Sequence, residues 1–133
     1  MLEAAAVIDI TGAPIHWHIP AGRSAVSLPD SRSLWSVLWE NRERLAGLAH
    51  THPGGGRPIP SWEDLTTFSA CEAGLGRRLD WWIATADQIR LFRFSGPTPY
   101  HYRGHSLTEP PSWLPALLDL SNPTSNDGAH HAV

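Results

Sequence analysis

Lysine is missing from this chain: the ten basic residues are all arginine, set against thirteen Asp and Glu. No ε-amino group is therefore on hand to form a Schiff base or to accept an isopeptide bond. The net charge is −3 and the pI about 6.2, with no basic footprint of the kind nucleic acids require. Cysteine is almost as scarce. Cys71 stands alone, which excludes an internal disulfide and a thiolate-built zinc site. No run approaches the roughly 18 apolar residues of a membrane-spanning helix. The opening "MLEAAAVIDI" also lacks the basic start of a secretory signal. Together these absences lead us to expect a cytoplasmic protein with neither nucleic acid nor membrane as partner.

What is present is the material of one domain. The chain has 133 residues, 41% of them hydrophobic, and seven are tryptophan. A compact fold of that length removes roughly two-thirds of the unfolded surface from water. The apolar run Ala4 to Ile10 and the alternating "IHWHI" (Ile15 to Ile19) flank a "TGAP" turn, which predicts a hairpin with Pro14 at a strand start or edge. Asp30 or Ser31 caps a predicted helix running to about Leu45, with Leu34, Leu38 and Leu45 along one stripe. "AGLAH" returns as a strand, Ser61 caps a helix from Trp62 to about Leu79, and "DWWIATAD", "QIRLFRFS" and "YHYRG" read as three more strands. "PSWLPALLDLS" reads as a short helix broken at Pro115, and the polar tail from Asn122 as disordered. The order β-β-α-β-α-β-β-β implies an α/β (α+β) fold, a mixed β-sheet flanked by helices, in a single domain over residues 1–121.

One stretch carries chemistry: "LAHTHPGGGRPIPSWEDL", Leu48 to Leu65. His50 and His52 lie at i and i+2 of a strand, so both imidazoles take the same face. Asp64, in the first turn of the following helix, is the natural third ligand, and two His with one carboxylate form a catalytic zinc shell with one position open. Ser61 is close enough to donate to a developing oxyanion. The same Ser-x-x-Asp also reads as a capping box, and the glycines lack the Gly-Lys-Ser/Thr ending of a phosphate-binding loop. It is the ordered set of elements that gives the metal reading its weight.

The motif His50-Thr51-His52-Pro53 followed by Ser61-Trp62-Glu63-Asp64 resembles the JAMM signature of the JAB/MPN zinc metalloproteases, and the resemblance extends over roughly Glu3 to Arg103. It implies the JAB/MPN-like (cytidine-deaminase-like) architecture, with zinc on His50, His52 and Asp64 and Ser61 as oxyanion donor. Eleven residues separate His52 from Asp64, one more than is usual in the family, and the glycine loop can absorb the extra residue. The helix that usually leads into the first strand has no counterpart here. Glu3, with 46 residues between it and His50, is the expected general base, with Glu40 and Glu43 as rivals. Trp62 is a candidate wall of the substrate groove. The implied activity is hydrolysis of a peptide or isopeptide bond at the C-terminus of a ubiquitin-like or sulfur-carrier protein, with conjugation-system proteins as associates. The alternative is a catalytically silent MPN-like interaction module. His16 and His18 share a face but have no carboxylate at a useful spacing, and Cys71 reads as a small core residue. Trp35, Trp39, Trp81 and Trp82 read as core and sheet packing.

Overall fold

The computed structural model describes residues 1–122; the tail expected from Asn122 onward lies, apart from Asn122 itself, outside the described residues. The elements are β1 (Ala5–Asp9), β2 (Pro14–His18), α1 (Arg32–Glu40), β3 (Leu45–Thr51), α2 (Trp62–Leu75), β4 (Asp80–Ala84), β5 (Ile89–Phe94), β6 (Tyr102–Ser106) and α3 (Leu114–Ser121). The strands form one six-stranded sheet in the order β2-β1-β3-β4-β5-β6. Only β3 and β4 pair in parallel, as a crossover through α2 requires; the other neighbours are antiparallel. Pro14 opens the edge strand β2, where its missing N–H costs no ladder bond. The mixed α/β class expected from the element order is observed.

Helices cover both faces of the sheet. On one face Leu34 and Leu38 of α1 and Phe68 of α2 pack on Val7, Leu48, Trp81, Ile83 and Phe92. On the other, Trp113, just ahead of α3, and Leu117 of α3 pack on Ala4, Ala6, Ile8 and Ala49. Strand β1 is sandwiched between these layers and buried at every residue, which explains its unbroken apolar run. Among the described residues, no helix is long and apolar enough to cross a membrane.

Four expectations are corrected. Helix α1 ends at Glu40, not near Leu45, because the Asn41 side chain and backbone N–H both cap the Val37 carbonyl. Leu45 instead begins β3, where a register shift opposite Ile8 and Asp9 turns it onto the same face as Leu48. Helix α2 ends at Leu75 because Gly76 adopts the left-handed conformation, φ 71°, that closes a helix. Leu79 still reaches the core, from the turn that follows. Pro115 lies in the first turn of α3 and starts the helix rather than breaking it, since no N–H is needed there. Finally, Trp35 and Trp39 are 40% and 45% exposed and stack on each other outside the core. Trp81 is buried, and Trp82 packs on Trp113.

Candidate metal centre

The centre forms where β3, β1 and the start of α2 meet. His50 pairs with Ala5 of β1 on one side and Ile83 of β4 on the other, so the middle of the sheet holds its backbone. Beyond the strand end, the His52 N–H donates to the Ala84 carbonyl at 2.8 Å, extending the pleat one residue further. Both imidazoles therefore emerge on the face covered by α1 and α2, and Thr51 points through to the opposite face, fully buried.

The glycine loop is held in place. Gly54 and Gly56 take φ values of 108° and 94°, open to glycine at little cost. The Gly54 carbonyl accepts from Ala86 N–H (2.8 Å), the Gly56 carbonyl from Thr85 Oγ1 (2.7 Å), and the Gly56 N–H donates to Asp87 Oδ2 (2.8 Å). The turn between β4 and β5 thus anchors the loop that brings α2 back to β3. There Ser61 and Asp64 form a reciprocal capping box, with Asp64 N–H on Ser61 Oγ (3.0 Å) and Ser61 N–H on Asp64 Oδ2 (2.9 Å). The cap and the metal reading coexist because Asp64 reaches the two histidines with the same carboxylate.

His50 Nε2 and His52 Nε2 are 3.1 Å apart, His52 Nε2 lies 2.9 Å from Asp64 Oδ2, and His50 Nε2 lies 3.2 Å from Asp64 Oδ1. Neighbouring ligands of a tetrahedral zinc, with bonds of roughly 2.0–2.1 Å, are separated by about 3.3 Å. The observed spacings come close to that. Two imidazole nitrogens and a carboxylate, each within 4.8 Å of the others, are the donor set of a divalent metal with one position left open. His50, His52 and Asp64 are thus brought together as expected.

Burial works against a charge on Asp64, yet hydrogen bonds from His50, His52 and the Ser61 N–H hold its carboxyl well below the usual carboxylate range. The Asp64 hydrogen bond raises His52 in turn, against the opposing effect of burial.

Glu3 faces the same space. Ala5 pairs with His50 in an antiparallel ladder, so one step of two residues along each strand sets Glu3 opposite His52. Glu3 is only 9% exposed. Its burial pushes the carboxyl above its ordinary value; the His50 and His52 imidazoles offset part of that rise, and Asp64 and Glu63 add to it. The rivals Glu40 and Glu43 are exposed, at the end of α1 and in the turn beyond it. Neither lines the cavity at the centre, whereas Glu3, Ser61 and Glu63 do.

That cavity holds about 310 Å³ and is lined by His50, His52 and Asp64 together with Ala5, Leu34, Leu48, Phe68 and Trp81. Its far wall is the 25–30 stretch between β2 and α1, including Val26 and Leu28. His18 also lines it, donating from Nε2 to the Pro29 carbonyl at 2.6 Å and so tying that wall to the sheet. Trp62 stands outside the cavity wall, 64% exposed, edge-on to Tyr100 at 4.9 Å. Nothing in the sequence reading singled out Tyr100 or the 25–30 wall, which carry no residue pattern of their own. Cys71 is half-buried against the core, where burial pushes its thiol up to about 11, out of nucleophilic use. In comparisons with protein-family models and with curated proteins, nothing matches this chain.

Proposed function

We propose that this chain is a zinc-dependent JAMM-type peptidase or isopeptidase of JAB/MPN-like architecture. The observation that carries the reading is the convergence of Glu3 with His50, His52, Asp64 and Ser61 on one cavity, from chain segments as far apart as the lead into β1 and the start of α2. A metal-ligand triad alone would fit many roles; a buried carboxylate facing it, with a free hydroxyl at its rim, fits hydrolysis.

His50 and His52 would supply neutral imidazole nitrogens and Asp64 a permanently charged carboxylate. Zinc bound there would lower the pKa of a water molecule toward about 7. Glu3, whose raised pKa makes it a better proton acceptor than an ordinary surface carboxylate, would take the proton and deliver it to the leaving amine. Ser61 Oγ uses a lone pair to accept from the Asp64 N–H, so its own O–H remains free to donate to a substrate oxyanion. By resemblance to the JAMM signature, the substrate is the C-terminal tail of a ubiquitin-like or sulfur-carrier protein joined to an amine. Conjugation-system proteins would be its associates, and the cytoplasm its place of work.

Metal analysis of protein purified without a histidine tag tests the site. About one zinc per chain is expected, and its loss on His50→Ala combined with His52→Ala. Metal-free wild-type protein would sink the assignment. With a ubiquitin-like fusion as substrate, Glu3→Gln should lower kcat by roughly 10²–10⁴-fold while zinc stays bound. Undiminished turnover in that variant would remove Glu3 from the mechanism. Zinc-loaded wild-type protein that cleaves no such fusion would favour the silent interaction module instead.

A further inference from the structure

Glu3 lies ahead of β1, outside the strand ladder that orders its neighbours. Here Leu2, Glu3 and Ala4 are each tied to a different part of the fold. The Leu2 N–H donates to the Ser121 carbonyl at the end of α3 (2.6 Å) and the Glu3 N–H to the Ser24 carbonyl (2.8 Å). The Ala4 N–H donates to Thr51 Oγ1 (2.9 Å), and that hydroxyl also meets Ser121 Oγ at 2.5 Å. One side chain spans these ties. Arg23 Nη1 donates to the Glu3 carbonyl (3.2 Å) and to the Leu120 carbonyl (2.9 Å), joining residues 117 positions apart in sequence.

From these contacts we infer that Arg23 is the positioning residue for Glu3. The inference rests on the proposed role of Glu3 as base. Arg23 acts on the backbone of Glu3 rather than on its carboxylate. A guanidinium amino group carries two hydrogens on one nitrogen, so a single atom can bridge two carbonyls converging from different elements. Leu120 and Ser121 are the last residues of α3, whose end otherwise offers unpaired carbonyls. The helix end thus becomes the fixed point to which the base is pinned. The neighbouring Ser24 carbonyl completes the pin by holding the Glu3 N–H. Without Arg23, Glu3 would keep its N–H bond to Ser24 between the ties at Leu2 and Ala4, but its carbonyl would lose the clamp to α3 and its backbone could rotate. Its carboxylate would then drift from a geometry in which about 1 Å of misplacement can cost 10²-fold in rate. The ligands His50, His52 and Asp64 have no hydrogen bond to Arg23, so metal binding should not depend on it.

The test is Arg23→Met in the 133-residue chain, which keeps the aliphatic stem and removes the Nη1 donor of both bonds. Three readouts are taken: amide exchange, zinc content, and kcat and KM on a ubiquitin-like fusion. Expected are at least roughly tenfold faster exchange at Glu3, unchanged exchange at Leu48 and Ala49, and one zinc per chain. In addition kcat should drop by roughly 10- to 100-fold at constant KM. If that variant does not fold, Arg23→Lys serves: its ammonium, one bond shorter, should accelerate Glu3 exchange while zinc stays bound. Unchanged Glu3 exchange in the folded variant overturns the inference. So does loss of zinc in step with kcat, which would make Arg23 a support of the metal shell. Wild-type protein that binds zinc but turns over no fusion is a failure of the proposed activity, whereas Glu3 exchange reports on the clamp whether or not catalysis occurs.

Discussion

Asp9 and Glu72 are buried carboxylates away from the candidate metal centre, and each is held in place by several donors. Asp9 Oδ1 accepts from Thr11 Oγ1 (2.5 Å), Thr11 N–H (2.9 Å) and Ala13 N–H (3.1 Å), folding the "TGA" turn of the first hairpin around itself. The Thr11 hydroxyl first, then the backbone N–H groups and Arg44, hold the Asp9 carboxyl below its usual range despite its burial. A depressed carboxyl stabilises the fold above its unfolded value near 3.8, and that contribution is lost as pH falls through the lower folded value. Asp9→Asn should therefore flatten the acid limb of stability against pH in urea titrations between pH 6 and 2. An acid limb as steep as wild type would refute this. Glu72 accepts from Arg78 Nη1 (2.9 Å), Leu79 N–H (3.0 Å), Trp81 Nε1 (2.9 Å) and Tyr102 Oη (2.5 Å), joining α2 to β4 and β6. Glu72→Ala strands buried donors on Leu79 and Trp81. It should cost about 3–5 kcal/mol in urea unfolding, the scale for removing one partner of a buried charged network; a loss under about 1 kcal/mol would show that water replaces the carboxylate.

Two glycines on the path to the metal centre look alike in sequence and differ in what surrounds them. Gly47 sits in β3 between Ile8 and Asp80, and a Cβ there would stand 1.7 Å from the Asp80 carbonyl oxygen and 2.8 Å from its nitrogen. Backbone in a parallel pair cannot retreat without breaking the ladder. A Cβ on Gly55 would stand 2.5 Å from Asp87 Oδ2, the end of a side chain that can rotate away. Gly47→Ala is expected to cost about 3 kcal/mol or more, at the upper end of overpacking. Gly55→Ala should cost about 1 kcal/mol, chiefly the bond from Gly56 N–H to Asp87. Urea midpoints of the two variants decide the order, and equal losses would contradict this account. At this scale the sequence was partly legible. Each strand and helix among the described residues was expected from the residues, but both main helices end earlier than their apolar stripes suggest. Leu45 falls at helical spacing from Leu38, and only the cap at Asn41 and the shifted register of β3 show that it belongs to the sheet.

Across the whole molecule, the face of the sheet away from the candidate metal centre carries the layer that pins the segment holding Glu3. Helix α3 covers Ala4, Ala6, Ile8 and Ala49, and its last residues hold Leu2, Thr51 and Arg23. Leu117 lies fully buried in that layer. Leu117→Ala should cost about 2–5 kcal/mol in urea unfolding, as buried Leu truncations do. If the centre holds zinc as proposed, its stoichiometry in the folded fraction should be unaffected, because His50, His52 and Asp64 hydrogen-bond to one another and to Ser61 rather than to this helix. An unaltered midpoint would mean that α3 is not integral to the domain.

The local chemistry of the centre was open to reading from residues alone. Strand period puts His50 and His52 on one face, and a helix start mounts Ser61 and Asp64 rigidly three residues apart. Both are short-range consequences of backbone geometry. Which carboxylate faces the histidines was not of that kind, since Glu3, Glu40 and Glu43 all precede the motif. Sheet pairing decided it: β1 lies beside β3 in a register that sets Glu3 opposite His52, and the turn after α1 leaves Glu43 in solvent. The ordering of Glu3 depends on contacts with Ser24, Thr51 and the end of α3, remote in sequence and adjacent only once the chain has folded.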